Sequence, residues 1–207
     1  QNIGIGQHWL CPTVKTNAPP GAVPVGWPGR RTVAWHVSLQ RETFYSKFGS
    51  PYADAPAVER FGSYGVNVWL NWGEWPFDWE VQSRRPVQMF DSENDVAVPH
   101  LTPVTSDFII HFLYVGTPRE HPSDDSESGL SSKIHYAPSI AGVALPRHGR
   151  FGHADLKRWN PARRLPGAVN ISFFDGHVQS VPLEQVWSLS WYRNYEPPNP
   201  RTGLSQP

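Results

Sequence analysis

Val169-Asn170-Ile171-Ser172-Phe173-Phe174-Asp175-Gly176-His177-Val178-Gln179-Ser180-Val181 is the stretch that decides the fold class. One alternating apolar run enters Asp-Gly and a second leaves it. That pattern signals a β-hairpin closed by a two-residue type I′ turn. Gly176 tolerates the positive φ such a turn demands, and Asp175 tolerates it better than most residues. This register predicts Phe173 and Val178 on one face, with Phe174 and His177 paired on the other.

Working outward, Gly65 to Leu70 alternates Val66, Val68 and Leu70 against Asn67 and Trp69, the pattern of a half-buried strand. Phe108-Ile109-Ile110-His111-Phe112-Leu113-Tyr114 is an apolar run of strand length, and Thr32 to Leu39 carries a further strand pattern. Ala53 to Phe61 reads as one or two helical turns with Glu59 and Arg60 outward. Beyond the hairpin, Glu184 to Ser190 reads as a short helix, with Leu183, Val186, Trp187 and Trp191 forming one apolar face. Residues 1–196 make a single domain, and 197–207 a Pro-rich C-terminal tail. The class predicted is α+β: an antiparallel β-sheet with long aromatic- and Pro-rich loops and few short helices.

Composition agrees with that reading. In 207 residues, 22 Pro and 17 Gly favour turns and short elements over long helices. The 10 Trp, 10 Phe and 7 Tyr supply too much burial for a disordered chain. Lys and Arg balance Asp and Glu at 18 each, and the basic residues are scattered, so there is no footprint for nucleic acid. No apolar run of about 18 residues spans a membrane. Cys11 stands alone, so no intrachain disulfide forms, and it reads as a buried apolar residue.

Three groups of residues bear on chemistry. His148, Asp175 and His177 offer imidazole and carboxylate ligands suited to a transition metal, although the turn alone accounts for Asp175. Asp124 and Asp125, in the acidic loop Ser123 to Ser128, offer oxygen ligands for calcium, without the alternation of an EF-hand. Trp69, Trp72, Trp75 and Trp79 suit three uses: core packing, contacts between subunits, or stacking on a polysaccharide. Enzyme signatures are thin. There is no Gly-x-Ser-x-Gly elbow, His-Glu-x-x-His, phosphate loop or dinucleotide fingerprint. No catalytic residue is therefore assigned, and no cofactor is required.

Several segments together resemble a family. Arg147-His148-Gly149, Gly167-Ala168-Val169-Asn170 and Phe173-Phe174-Asp175-Gly176-His177-Val178 are similar to the C-terminal signature of prepilin-type proteins with a processing-associated His-x9-Asp-Gly domain. Pro182 to Tyr192 resembles their Leu/Trp-rich tail. Upstream, Trp9-Leu10-Cys11-Pro12-Thr13 resembles an early Cys-Pro segment, and Gly62-Ser63-Tyr64-Gly65-Val66-Asn67 a Ser-Tyr-Gly-x-Asn segment. Pro103-Val104-Thr105-Ser106-Asp107 resembles a Pro-Val-x-x-Asp element. The family places a His ten positions before the Asp. Here that position is Leu165, and His148 is the nearest candidate, displaced by an insertion around Phe151 to Pro166. The family's apolar N-terminal helix is not in this chain, whose Gln1 to Gln7 resembles the sequence just after it.

The resemblance implies a pilin-like globular head in an extracellular filament (type IV pilus) or a type II secretion pseudopilus, at the cell surface. Its partners would be copies of itself or other pilin-like subunits, and its action assembly rather than catalysis. It also lends some support to calcium in a loop. Two alternatives stand beside it: a secreted carbohydrate-binding module using the Trp-rich loop, and a small metal-dependent enzyme built on His148, Asp175 and His177.

Overall fold

The computed structural model describes residues 26–27, 35–39, 58–70, 88–108, 112–113, 115, 140–143, 146–149, 160 and 162–204. Its strands are β1 (Gly26–Trp27), β2 (Trp35–Leu39), β3 (Val58–Gly62), β4 (Tyr64–Asn67), β5 (Pro103–Asp107), β6 (Phe112–Leu113), β7 (Ala168–Phe173) and β8 (Val178–Pro182). Strands β1-β2-β3 form one antiparallel sheet. A second sheet runs β6-β4-β5-β7-β8, in which β4, β5, β7 and β8 are antiparallel and the two-residue β6 lies parallel to β4. Helix is scarce among the described residues: one α-helical turn, α1 (Ile140–Val143), and short 3-10 segments. A mixed α+β chain dominated by an antiparallel sheet is the architecture.

The hairpin forms around a different turn from the one its sequence predicts. The amide of Gly176 donates to the Phe173 carbonyl at 2.9 Å, and that of Phe173 to the His177 carbonyl at 2.9 Å. Three residues, Phe174 to Gly176, therefore form the loop. Only Gly176 takes a positive φ, at 90°. This is the three-residue loop in which a type I turn is followed by a left-handed glycine, not the type I′ turn. The extra residue shifts every pair. Phe173, not Phe174, faces His177, with rings stacked 4.3 Å apart and 2° from parallel. Val178 pairs with Ser172 instead and is 70 % exposed, whereas Phe173 is buried. A Cβ at position 176 meets nothing within 4 Å, so a substitution there is penalised by backbone strain alone. Gly176→Ala is expected to destabilise by about 1 kcal/mol, read from the urea midpoint, with the hairpin retained.

Strand β4 turns its polar residue inward. Asn67 is fully buried, whereas Val66 is half-exposed, which reverses the face predicted from Val66, Val68 and Leu70. Asn67 Nδ2 donates to the carbonyls of Pro103 and Trp191, each at 2.9 Å, and its Oδ1 accepts the Trp69 amide at 3.2 Å. One side chain thus joins β4, the start of β5 and the C-terminal segment. A buried carboxamide is tolerated because its donors and acceptor are used. After Asn67 the strand ends in a 3-10 turn, Val68–Leu70, which carries Trp69 into the core.

Two other expectations give way to pairing. Val58 to Phe61 lies in β3, bonded along β2, and is not helical. Of the strand expected over Phe108 to Tyr114, Phe112–Leu113 is described as strand and Phe108 is not, and a longer strand is the polar Pro103–Asp107 before it. At Phe108 the chain leaves the sheet: its amide donates to the Ser63 carbonyl at 2.7 Å while its ring is fully buried.

The apolar face predicted after the hairpin is present, on a 3-10 helix (Leu183–Ser188). Leu183, Val186, Trp187 and Trp191 are all fully buried. The indole of Trp191 donates to the Val186 carbonyl at 2.9 Å, and the Tyr195 hydroxyl to that of Trp187 at 3.0 Å. The segment expected to be a tail is fastened to the domain. Arg201, 5 % exposed, lies over the Trp187 ring, meets Glu184 at 2.8 Å and donates to the Arg163 carbonyl at 2.6 Å.

Arg193 stitches the outside of this segment, at 2.7 Å from Asp91 and 3.6 Å from Asp95. At Asp95 desolvation pushes the carboxyl pKa up. Hydrogen bonds from the Ser92 amide and hydroxyl, with the Arg193 charge, outweigh that and hold it below its ordinary 3.8. A depressed carboxyl stabilises the fold above its unfolded pKa and loses that contribution as pH falls through the folded value. The Asp95 carboxyl resonance is expected to titrate below 3.8, and to move back toward it in Ser92→Ala.

Candidate functional site

The site is built on a buried carboxylate. Asp107 ends β5, and its side chain takes over where the β5–β7 ladder stops at Ser106 and Ile171. Its Oδ2 accepts the Asn170 amide at 2.7 Å, satisfying the strand N–H that the departing backbone of β5 no longer meets. The same oxygen lies 2.9 Å from His148 Nε2, and Oδ1 lies 3.4 Å from the Arg147 guanidinium. The Asp107 and Arg147 side chains are both fully buried, while that of His148 is 23 % exposed.

Arg147 balances the charge and fixes the chain. Besides Asp107 it donates to the carbonyls of Ser63, just before β4, and Phe108, just after β5, the latter at 2.9 Å. Its planar array of donors suits convergent acceptors of this kind. His148 is held through its backbone as well: its amide donates to the Ala168 carbonyl at 3.0 Å and its carbonyl accepts the Ala168 amide at 2.9 Å, a bridge onto the first residue of β7. The carboxylate can only accept, so His148 carries a proton on Nε2. The Asn170 side-chain amide nitrogen stands 3.1 Å from the same ring nitrogen.

The segments meeting here are Gly62-Ser63, Pro103 to Asp107, Arg147-His148 and Gly167 to Asn170. They lie far apart in sequence, with Ser63 and Arg147 separated by 84 residues and Asp107 and Asn170 by 63. Both oxygens of Asp107 face fixed donors, so the arrangement works as a cross-brace of the sheet.

The expected site residues fare differently. His148 pairs with Ala168 at one end of β7, and Asp175 and His177 form the turn at the other, roughly 17 Å along the strand. One metal centre made of all three is therefore not formed. Among the described residues, no three His, Cys, Asp or Glu side chains gather as metal ligands. Trp69 is not a surface contact: it is fully buried, its indole donates to the Val115 carbonyl at 2.9 Å and its ring meets Tyr192 edge-on at 5.9 Å. Trp72, Trp75, Trp79, Asp124 and Asp125 lie outside the described residues. No described helix is long and apolar enough to cross a membrane.

Spacing alone could not find Asp107 or Arg147, because nothing in their neighbourhood distinguishes them from solvated charges. The one available signal is that both sit in segments resembling the same family. Comparison with protein-family models, curated proteins and solved structures finds no match.

Proposed function

We propose that this chain is the globular head of a prepilin-like subunit, of an extracellular filament or a secretion pseudopilus, and that it acts by assembly rather than catalysis. The observation that supports this reading is the convergence of four resembling segments on one buried polar brace. Asp107, Arg147, His148 and Asn170 spend their hydrogen bonds on carbonyls, amides and one another. A subunit under lateral load benefits from such a brace, because a buried, satisfied polar network favours one strand arrangement over its competitors. Repetition of a head-to-tail contact generates an open helix. On this reading Trp72, Trp75 and Trp79 contribute to contacts between copies at the cell surface.

Electron cryo-microscopy of native surface material, and of the full-length gene product, tests this. Regular filaments whose density accepts this head are the expected result. Dispersed particles, together with retardation in polysaccharide gels that Trp→Ala substitution in the 72–79 loop abolishes, would replace it with the carbohydrate-binding reading.

A further inference from the structure

We propose that the outer edge of β8 is a docking strand for a second copy of this chain, the two β8 strands pairing antiparallel about a two-fold axis at Gln179. β8 is the last strand of the five-stranded sheet. The Phe173 amide donates to the His177 carbonyl and the Leu183 amide to the Gly167 carbonyl, each at 2.9 Å. The register between those two pairs is unbroken, so in β8 it is Gln179 and Val181 whose main-chain groups bond to β7. Val178, Ser180 and Pro182 turn theirs the other way, outward. Among the described residues nothing meets the amides of Val178 and Ser180. Val178, Gln179 and Ser180 are all exposed.

Charge and hydrogen-bond phase select the occupant. Exposed sheet edges are ordinarily guarded by charge, proline, a bulge or shortness. Of the other described edge strands, β1 and β6 have two residues each, and β3 contains Glu59 and Arg60. β8 has five residues, and Val178-Gln179-Ser180-Val181 carries no charge and no bulge, so a copy of the same strand meets no like charge. With the axis at Gln179, Val178 of each copy exchanges both main-chain hydrogen bonds with Ser180 of the other, which uses every outward amide of both strands. An axis at Ser180 sets the Pro182 ring where a donor is needed. An axis at Val178 runs into the turn, where Gly176 has left the strand with φ 90°. In the Gln179 register the two carboxamides face and bond each other. The two Val178 side chains, 70 % exposed in the single chain, lie diagonally on one face and leave water. Such a contact closes at two copies, so it stands independently of the filament reading. It is small beside the roughly 1,200 Å² of a stable interface, and the pair therefore forms at on the order of 0.1–1 mM protein.

Amide NMR and translational diffusion of the full chain, from about 10 μM to about 1 mM, test this. With rising concentration the Val178 and Ser180 amides should shift and gain exchange protection as diffusion slows to that of a dimer. The Gln179 and Val181 amides should be protected throughout. Gln179→Lys and Gln179→Glu each put like charges opposite one another and should weaken pairing at least about tenfold, and mixing the two variants should restore it. Ser180→Pro removes an outward donor but no bond to β7, and should abolish pairing. Unchanged urea midpoints identify the folded variants, and the two Gln179 changes, on an exposed side chain, carry the test if the proline disturbs the strand. A chain that stays monomeric to about 1 mM would overturn the proposal. So would a dimer that the Gln179 substitutions leave intact, since its contact would lie on another surface.

Discussion

Asp107→Asn is expected to destabilise the fold by about 3–5 kcal/mol, measured as the shift of the urea unfolding curve at neutral pH. The substitution conserves shape, and the Asn170 amide retains an oxygen to meet. What it removes is charge. Arg147 then loses the counter-charge of Asp107, and the new amide nitrogen faces a donor on either side, the guanidinium or His148 Nε2. Arg147→Met should cost a similar amount for the complementary reason. It leaves the carboxylate unmatched and takes a donor from the Ser63 and Phe108 carbonyls. Combining Asp107→Leu with Arg147→Met removes both charges together, so the double change should cost clearly less than the sum of the two single ones. A loss below about 1 kcal/mol for Asp107→Asn would mean that the carboxylate does not brace the sheet.

The same pair shows where the sequence was legible and where it was not. The hairpin was readable because alternation and Asp-Gly are local signals, yet its register was not. Type I′ and the three-residue loop differ by one residue, and Phe174-Asp175-Gly176 is compatible with both. Leu183, Val186, Trp187 and Trp191 were readable as one buried face because each is apolar whatever the exact helix pitch. Asn67 was misread, and Asp107 passed over, for the converse reason. Alternation assigns polar residues to solvent, and the partners that make their burial tolerable lie 36 and 124 residues away for Asn67, and 40 and 63 for Asp107. Only the tertiary fold brings those groups together. The C-terminal segment misleads similarly: its prolines suggest a tail, whereas one arginine fastens it to Glu184, Trp187 and Arg163.

Trp69→Ala is expected to cost about 3–5 kcal/mol, and the size of that loss separates a core tryptophan from a contact tryptophan. The indole is fully buried, and its edge-on contact with Tyr192 continues to Tyr195 at 5.0 Å. Deleting it opens a cavity beside an aromatic chain that ends on the Trp187 carbonyl. Trp69→Phe should fall in between. It restores most of the apolar volume but leaves the buried Val115 carbonyl without the indole N–H, at about 1–3 kcal/mol. A tryptophan serving an interface or a glycan behaves differently, changing binding while leaving the monomer within about 0.5 kcal/mol. Urea unfolding of Trp69→Ala beside Trp72→Ala, Trp75→Ala and Trp79→Ala therefore sorts the four residues by role. Trp69 should appear as a stability residue. Any of the other three that leaves stability intact while dispersing assemblies would be a subunit contact, the role the assembly reading requires of that loop.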